Sequence, residues 1–310
     1  MPLQMLPDVG LTLPLEISIY LFLVLTMFSM GLALTTRRIA EPLRQRRMVN
    51  TAFFINLLLI PVAAILIVRL LPMDPAVAAG ILIVACAPGS TIGPKLAEFS
   101  KGNISLAISI MFFLSVLAIF TTPATLTLVL PGAIVERVDF VDVMTTLTIF
   151  IMVPMTAGLA INTWAEPFAD RIRDRAFLLS NLSIVLFGII FITVQITGEV
   201  RFVDMFFRVG ILPVLAVILL VALSMLLGYL LGGPERQNRQ VLATSSANRN
   251  LGVSLLVGAS ALAAYGEAFV IIIVYAIVQT LVSGLIAVKW GQMERRKRRQ
   301  EAGDKQDIER

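Results

Sequence analysis

The chain has 310 residues, of which 58% are hydrophobic and only 15% are charged, and its mean hydropathy is +0.90. A soluble domain of this length could not bury so much apolar surface, so the composition excludes a soluble globular protein and indicates a polytopic membrane protein. There is no histidine, which removes the commonest metal ligand and general base, and the lone Cys86 excludes an internal disulfide. We therefore expect neither a metal site nor a bound organic cofactor.

Stretches of roughly 20 mainly apolar residues, long enough to cross a bilayer as a helix, occur about nine times. The predicted fold is therefore an all-α polytopic membrane protein with about nine transmembrane helices, good to one helix either way. No basic residue precedes Arg37, so the first span lacks the basic start of a cleaved signal peptide and is expected to be retained. The predicted spans are residues 14–36, 48–71, 75–99, 103–129, 142–164, 178–198, 208–231, 238–262 and 267–290.

Basic residues are concentrated in every second connection between these spans, which is the pattern of cytoplasmic loops. This predicts a protein of the plasma membrane or cell inner membrane, with the N-terminus outside and the C-terminus in the cytoplasm. The basic tail, residues 291–310, is interpreted as a cytoplasmic anchor at the bilayer rather than as a nucleic-acid site. The basic residues placed inside are Arg37, Arg38, Arg44, Arg46, Arg47, Lys101, Arg171, Arg173, Arg175, Arg236, Arg239, Lys289 and those of the run 295–299.

Two parts of the chain, residues 48–129 and 208–290, share a pattern of spans. Each begins with a span that contains a proline, Pro61 or Pro213, and continues with a polar, interrupted span. Five helices separate the equivalent members, so the second copy would be inverted in the membrane. Paired interrupted spans in inverted halves indicate a transporter binding site near the bilayer midplane, and we predict these two parts as core repeats.

The first interrupted span contains APGSTIGPKLAEFSKG at residues 87–102. A proline inside a helix removes one backbone hydrogen bond and clashes with the preceding turn, at a cost of roughly 3 kcal/mol. The freed backbone groups cannot face lipid, so the break must be buried or line a wet cavity. We predict two half-helices joined at Ser90 and Thr91, whereas a simple kink is the alternative and is expected at Pro61, Pro123, Pro154 and Pro213. The residues predicted to break the helix are Pro88, Gly89, Gly93 and Pro94.

The second interrupted span has no proline, and its signal is polarity. A charged side chain at the bilayer centre costs at least about 2.5 kcal/mol, so Arg249 is a functional-site candidate, with snorkelling to an interface as the alternative. Lys95 and Glu98 lie three residues apart on one face of the second half-helix, where they can pair. Lys95 also lies next to the positive N-terminus of that half-helix, which is unfavourable unless an anion is near. The predicted ligand is a small organic anion, and its candidate contacts are Ser90, Thr91, Lys95, Asn248, Arg249 and Asn250.

At these residues the chain resembles the bile acid:sodium symporter family. The resemblance rests on MFSMGLAL at 27–34, APGSTIGPKLAEFSKGN at 87–103 and RNLG at 249–252, in the expected order. It implies two inverted three-helix core repeats whose broken helices cross, and transport of an anion by alternating access. It also implies a panel domain made of the remaining spans, residues 14–36, 142–164 and 178–198.

The sodium ligands that the resemblance implies are largely missing from this sequence. The corresponding positions are occupied by Gly93, Pro94, Ser245, Arg249, Ala107 and Met111. A sodium ion about 5 Å from one fixed cation would be repelled by roughly 3 kcal/mol at an effective dielectric constant of 20. We therefore expect no sodium coupling, with sodium held by backbone carbonyls as the alternative. Glu98 is then the candidate proton carrier, and a permanent partner of Lys95 is the competing interpretation of it.

The predicted function is a secondary transporter of small organic anions, including carboxylates of the bile-acid kind. A sodium-coupled symporter and a non-transporting sensor or scaffold are the alternatives. A membrane enzyme is not expected, because the sequence offers no nucleophile with a base. A metalloid exporter of related fold would need a thiolate near the break, and Cys86 is the only candidate.

Overall fold

The computed structural model describes residues 13–35, 46–130, 134, 139–197, 202–261 and 266–308. The described residues form helices without any strand, and seven of these helices are long and apolar enough to cross a membrane. The predicted all-α membrane fold is therefore confirmed. The count of about nine spans stays a prediction, because residues 75–99 and 238–262 are each divided into two shorter helices.

The helices differ from the predicted spans mainly at their ends. Helix α7 starts 12 residues before the predicted position 178, and α12 continues through the basic tail to Ile308. The α7 extension contains Glu, Arg and Ala, and the α12 extension contains Glu, Arg, Lys and Ala, all of which are good helix formers. The helices are α1 (Leu13–Ala33), α2 (Arg46–Leu70), α3 (Pro75–Ala85), α4 (Gly93–Ser100), α5 (Ile104–Val129), α6 (Phe140–Trp164), α7 (Glu166–Thr197), α8 (Phe202–Val209), α9 (Ile211–Leu231), α10 (Arg236–Ala247), α11 (Leu251–Ala261) and α12 (Gly266–Ile308).

Polar side chains fix where several of these helices begin. Asp74 accepts a hydrogen bond from the backbone N–H of Ala76 at 2.7 Å, and Asn103 accepts one from Leu106 at 3.1 Å. Each side chain satisfies a donor that has no partner inside the helix, which is the role of an N-cap. These caps fix the start of α3, which is the first half of the broken span, and the start of α5, which follows its second half.

Two of the prolines at which kinks are expected follow a π-helical turn. One π turn, Ile55–Leu59, precedes Pro61 in α2, and another, Thr148–Met152, precedes Pro154 in α6. A proline ring collides with the carbonyl four residues earlier in a regular α-helix, and a wider turn relieves that collision. Pro123 is accommodated inside the continuous helix α5.

Helices α1, α6 and α7 pack against one another, while α12 lies against α3 and α4, and α10 lies against α4 and α9. The α1–α6 contact is close because both helices have a glycine there. A methyl group added at Gly31 would overlap the carbonyl oxygen of Met155, and one added at Gly158 would overlap that of Phe28. The assignment of core repeats at 48–129 and 208–290 and of a panel at 14–36, 142–164 and 178–198 stays a prediction.

Candidate functional site

The two interrupted segments contact each other. Helix α3 ends at Ala85 and α4 begins at Gly93, while α10 ends at Ala247 and α11 begins at Leu251. The backbone N–H of Asn250 donates to the carbonyl oxygen of Ala87 at 2.9 Å, and its side-chain amide donates to that of Gly89 at 3.1 Å. Backbone groups freed by one break are therefore satisfied by the other, as irregular backbone at membrane depth requires.

Side chains of helix α5 donate hydrogen bonds to the backbone of the first break. Thr122 donates its hydroxyl hydrogen to the carbonyl oxygen of Cys86 at 2.8 Å, and Ser115 donates to that of Gly89 at 3.1 Å. Gly89 has φ +90°, and a Cβ at this position would lie 2.6 Å from the backbone nitrogen of Ser115. A residue without a side chain is required here both by the left-handed backbone and by the close approach of α5.

Arg249 lies in the second break and is 1% exposed. Its guanidinium donates to the side-chain oxygen of Asn56 at 2.8 Å and to the Asn56 carbonyl oxygen at 3.2 Å. It also donates to the carbonyl oxygen of Val84 at 3.3 Å and to that of Ala85. Snorkelling to an interface, the alternative interpretation of this arginine, is therefore wrong, because its hydrogen bonds all go to the protein interior.

These four acceptors are available because of local breaks in the helices that carry them. In the π turn of α2 the N–H of Ile60 bonds to the carbonyl of Ile55, five residues earlier. The same spacing assigns the Asn56 carbonyl to residue 61, which is proline and has no N–H. The carbonyls of Val84 and Ala85 belong to the last turn of α3, where intrahelical donors run out and the helix dipole is negative. The Val84 carbonyl also accepts from the N–H of Ala87 at 3.1 Å, so Arg249 adds a second donor there, supplies donors to the Asn56 and Ala85 carbonyls, and places positive charge at the negative end of α3.

The charge of Arg249 has no carboxylate partner among the residues that the structure describes, since none of their ion pairs includes it. Its backbone is also held, because its N–H donates to the side-chain oxygen of Gln279 on α12 at 2.7 Å. The guanidinium is therefore a fixed cation, neutralised in part by carbonyl dipoles and tethered to α2 and α3, while the Arg249 backbone is tethered to α12.

A cavity of about 720 Å³ is lined by residues of α1, α4, α5, α7 and α12 and of the two breaks, and Arg249 belongs to its lining. Most of the lining is apolar. Lys95 and Glu98 also line the cavity, and their charged groups are 2.8 Å apart, with side chains 58% and 53% exposed. Six of the residues predicted from the sequence line this cavity, namely Ser90, Thr91, Pro94, Lys95, Glu98 and Arg249.

The other predicted residues lie at the contact between the breaks and are not part of the cavity lining. Asn250 ties the breaks together and caps α11 by accepting from Val253 at 3.2 Å, while Asn248 donates to the Thr244 carbonyl at 2.8 Å. Gly93 and Ser245 face each other, since a Cβ on Gly93 would be 3.7 Å from the Ser245 hydroxyl oxygen. These residues contact other residues of the two breaks, and any role of theirs in ligand or ion binding stays a prediction.

A sodium ion does not fit the side chains at this contact. The positions corresponding to the family's sodium ligands supply one hydroxyl, that of Ser245, and otherwise carry no side-chain oxygen or a guanidinium. The nearby carbonyls of Asn56, Val84 and Ala85 are occupied by Arg249. Nor does any group of three or more His, Cys, Asp and Glu residues capable of holding a metal occur within the described ranges.

Sequence analysis missed Asn56, Ser115, Thr122 and Gln279, all of which stabilise the two breaks. Ser115, Thr122 and Gln279 are uncharged polar residues in apolar spans, a signal too common to select them. Asn56 had a more specific signal, because it lies five residues before Pro61 and a proline at that spacing can free its carbonyl.

Paired broken helices that meet beside a cavity in an all-α membrane fold are typical of secondary transporters. Residues 20–204 match the model of the sodium bile acid symporter family, so the chain belongs to that family. The recognition made from the three motifs is thereby confirmed, and the chain is a member of a family of membrane transporters.

Three relatives illustrate the similarity. The chain is 27% identical over 146 residues to the probable sodium/metabolite cotransporter BASS1, chloroplastic, of Arabidopsis thaliana, which covers 46% of this chain and 35% of that protein. It is 28% identical over 146 residues to the probable sodium/metabolite cotransporter BASS2, chloroplastic, of Oryza sativa subsp. japonica. That match covers 47% of this chain and 34% of the rice protein. It is 25% identical over 219 residues to the uncharacterized sodium-dependent transporter YocS of Bacillus subtilis (strain 168). That match covers 68% of this chain and 63% of the Bacillus protein. The chain thus spans about a third of the length of the plant relatives.

Proposed function

We propose that this protein is a secondary transporter that moves small organic monoanions, chiefly carboxylates, across a cell membrane by alternating access and without sodium. The observation that carries the proposal is the fixed guanidinium of Arg249 at the contact between the broken helices, beside the cavity and without a carboxylate partner in the described chain. No enzymatic step is needed for this function.

The charges around the cavity favour one negative charge on the substrate. The ionisable residues that line it are Lys95, Glu98 and Arg249. Lys95 and Glu98 pair and cancel, so Arg249 leaves the cavity with one net positive charge. A monoanion neutralises that charge, whereas a sodium ion about 5 Å away is repelled by roughly 3 kcal/mol at an effective dielectric constant of 20. The fixed cation thus takes the electrostatic role that a mobile cation would have.

The residues that line the cavity indicate the side of the membrane to which it would open. It extends from Phe22 to Leu34 along α1 and reaches Ile104 at the start of α5. Leu34 and Ile104 adjoin connections that the distribution of basic residues predicts to be cytoplasmic, so this conformation would be the inward-facing one. Alternating access would close the cavity by moving α1, α6 and α7 against the broken helices.

The test is uptake by the purified protein in proteoliposomes, using labelled carboxylic acids and their neutral amides at several imposed membrane potentials. Uptake of an anion without a co-transported cation carries negative charge inward, so an inside-positive potential should accelerate it. The amides should not be taken up above the rate of empty liposomes. Uptake of amides and acids alike would contradict the charge selection, and acceleration by an inside-negative potential would contradict the absence of a coupling cation. Binding of the acids with no uptake at any potential would favour a sensor or scaffold.

Sodium coupling is the second candidate, since the relatives are named as sodium/metabolite cotransporters or as a sodium-dependent transporter. Backbone carbonyls outside the Arg249 cluster would then have to supply the sodium ligands. Proton coupling through Glu98 is a third candidate, in which a monoanion moved with one proton carries no net charge and uptake depends on pH rather than on membrane potential. Unchanged pH dependence of uptake in Glu98→Gln would remove it, and in that case Glu98 serves as the partner of Lys95.

A further inference from the structure

Helix α7 carries three polar residues close together in an otherwise apolar stretch, namely Ser180, Asn181 and Ser183. Two of them are used in packing. The Ser180 hydroxyl is 2.8 Å from that of Thr26 on α1, and the Ser183 hydroxyl donates to the Ser180 carbonyl at 2.7 Å. Both serines are buried. Their hydrogen bonds account for their presence in the membrane.

Asn181 is different, because its side chain is exposed and lines the cavity. Its amide makes no hydrogen bond to any other residue that the structure describes. Its neighbours Leu178, Leu182 and Val185 are exposed apolar side chains outside the cavity lining, as expected for contact with lipid. An uncommitted amide within a membrane span is expected to face a water-filled cavity or a ligand, since contact with lipid would leave its hydrogen bonds unmade.

The cavity surface that α1 and α7 contribute is otherwise poor in available polar groups. Alongside Asn181, the cavity surface of α1 and α7 consists of apolar side chains and of the Thr26–Ser180 pair, whose hydroxyls bond to each other. The charged groups Lys95, Glu98 and Arg249 belong instead to α4 and to the second break. A substrate whose carboxylate is attracted by those charges, and which is long enough to reach α7, can place its far end against Asn181.

We propose that Asn181 is a specificity-determining residue that hydrogen-bonds a second polar group, a hydroxyl or a carbonyl, at the end of the substrate remote from its carboxylate. This inference rests on the proposed function and narrows the substrate class to hydroxy and oxo acids in preference to unsubstituted fatty acids. An amide can donate and accept, so it suits either group. Because Asn181 is open to cavity water, one such hydrogen bond should change relative uptake by about three- to tenfold.

The experiment compares uptake of labelled acids in proteoliposomes by the unmodified protein, by Asn181→Leu and by Asn181→Gln. The probes are butyrate, hexanoate and octanoate, each paired with the acid that carries a hydroxyl on its terminal carbon. The three chain lengths place the terminal hydroxyl at different distances from the carboxylate. In at least one pair the unmodified protein should prefer the hydroxy acid about three- to tenfold, Asn181→Leu should lose that preference, and Asn181→Gln should keep part of it.

The outcomes separate the inference from the function on which it rests. If the unmodified protein takes up none of the six acids, the proposed function fails for these carboxylates, and the inference fails with it. If it takes them up but discriminates within no pair, the inference is overturned while the function stands. A preference that survives Asn181→Leu also overturns it, because another group must then recognise the hydroxyl. Thermal unfolding midpoints of the two variants, matched to that of the unmodified protein, identify the loss as one of selectivity rather than of folding.

Discussion

Replacement of Arg249 by alanine should destabilise the protein strongly, even though it removes an unpaired charge from a membrane interior. The guanidinium donates to four buried acceptors, the side-chain and backbone oxygens of Asn56 and the carbonyls of Val84 and Ala85, of which the Val84 carbonyl also keeps the N–H of Ala87 as a donor. A buried acceptor left without a partner costs about 1 to 3 kcal/mol. The adjoining cavity can admit water to some of these oxygens, so we expect a loss of about 3 to 5 kcal/mol rather than the full sum.

The assay is thermal unfolding of the purified protein in detergent. A loss of this size should lower the unfolding midpoint by about 6 to 15 °C for a chain of this length. Arg69→Ala is the matched control, because Arg69 is an exposed arginine near the end of α2 and its loss removes the same charge without exposing these acceptors. Arg249→Lys should also be destabilised, since an ammonium cannot span the acceptors of a planar guanidinium. Equal midpoints for Arg249→Ala and Arg69→Ala would refute the tethering of α2 and α3 by Arg249.

Three further predictions concern packing, charge and reactivity. Gly158→Val should lower the unfolding midpoint by several degrees because its side chain would meet the backbone of α1, whereas Gly188→Ala, with nothing within 4 Å, should leave it unchanged or slightly raised. Lys95→Gln should reduce uptake of carboxylates about tenfold with little change in the unfolding midpoint, because its pair with Glu98 is half-exposed and contributes little to stability; equal uptake would remove Lys95 from the site. The thiol of Cys86, 3% exposed, should resist maleimide in the folded protein and react after unfolding in detergent, and rapid labelling of folded protein would place it on an open path.

The first break could be predicted because its cause is local. Two Pro-Gly pairs in one apolar span cannot continue a helix, and the structure accordingly ends α3 at Ala85 and starts α4 at Gly93. The all-α membrane fold follows equally directly from composition and span length. The pairing of Lys95 with Glu98 also follows from local spacing, since residues three apart share one face of a helix.

The partners of Arg249 could not be predicted, because they depend on contacts between distant parts of the chain. Its hydrogen bonds reach Asn56, 193 residues away, and Val84, 165 residues away. The sequence identified Arg249 as unusual but assigned it to the substrate, since nothing local reveals that α2 and α3 present four acceptors to it. Asn250 was assigned to the ligand for the same reason, and in the structure its amide bonds to the backbone of the first break.

The central claim is that Arg249 acts as a fixed cation in place of a mobile coupling ion. The most direct measurement is carboxylate uptake into proteoliposomes with and without an inward sodium gradient, for the unmodified protein, Arg249→Lys and Arg249→Ala, each first shown to be folded at the assay temperature. We expect the unmodified protein to take up carboxylates at a rate that the sodium gradient does not change. Arg249→Lys should retain part of this uptake, and Arg249→Ala should lose it. Uptake that sodium stimulates and that survives in Arg249→Ala would contradict the central claim.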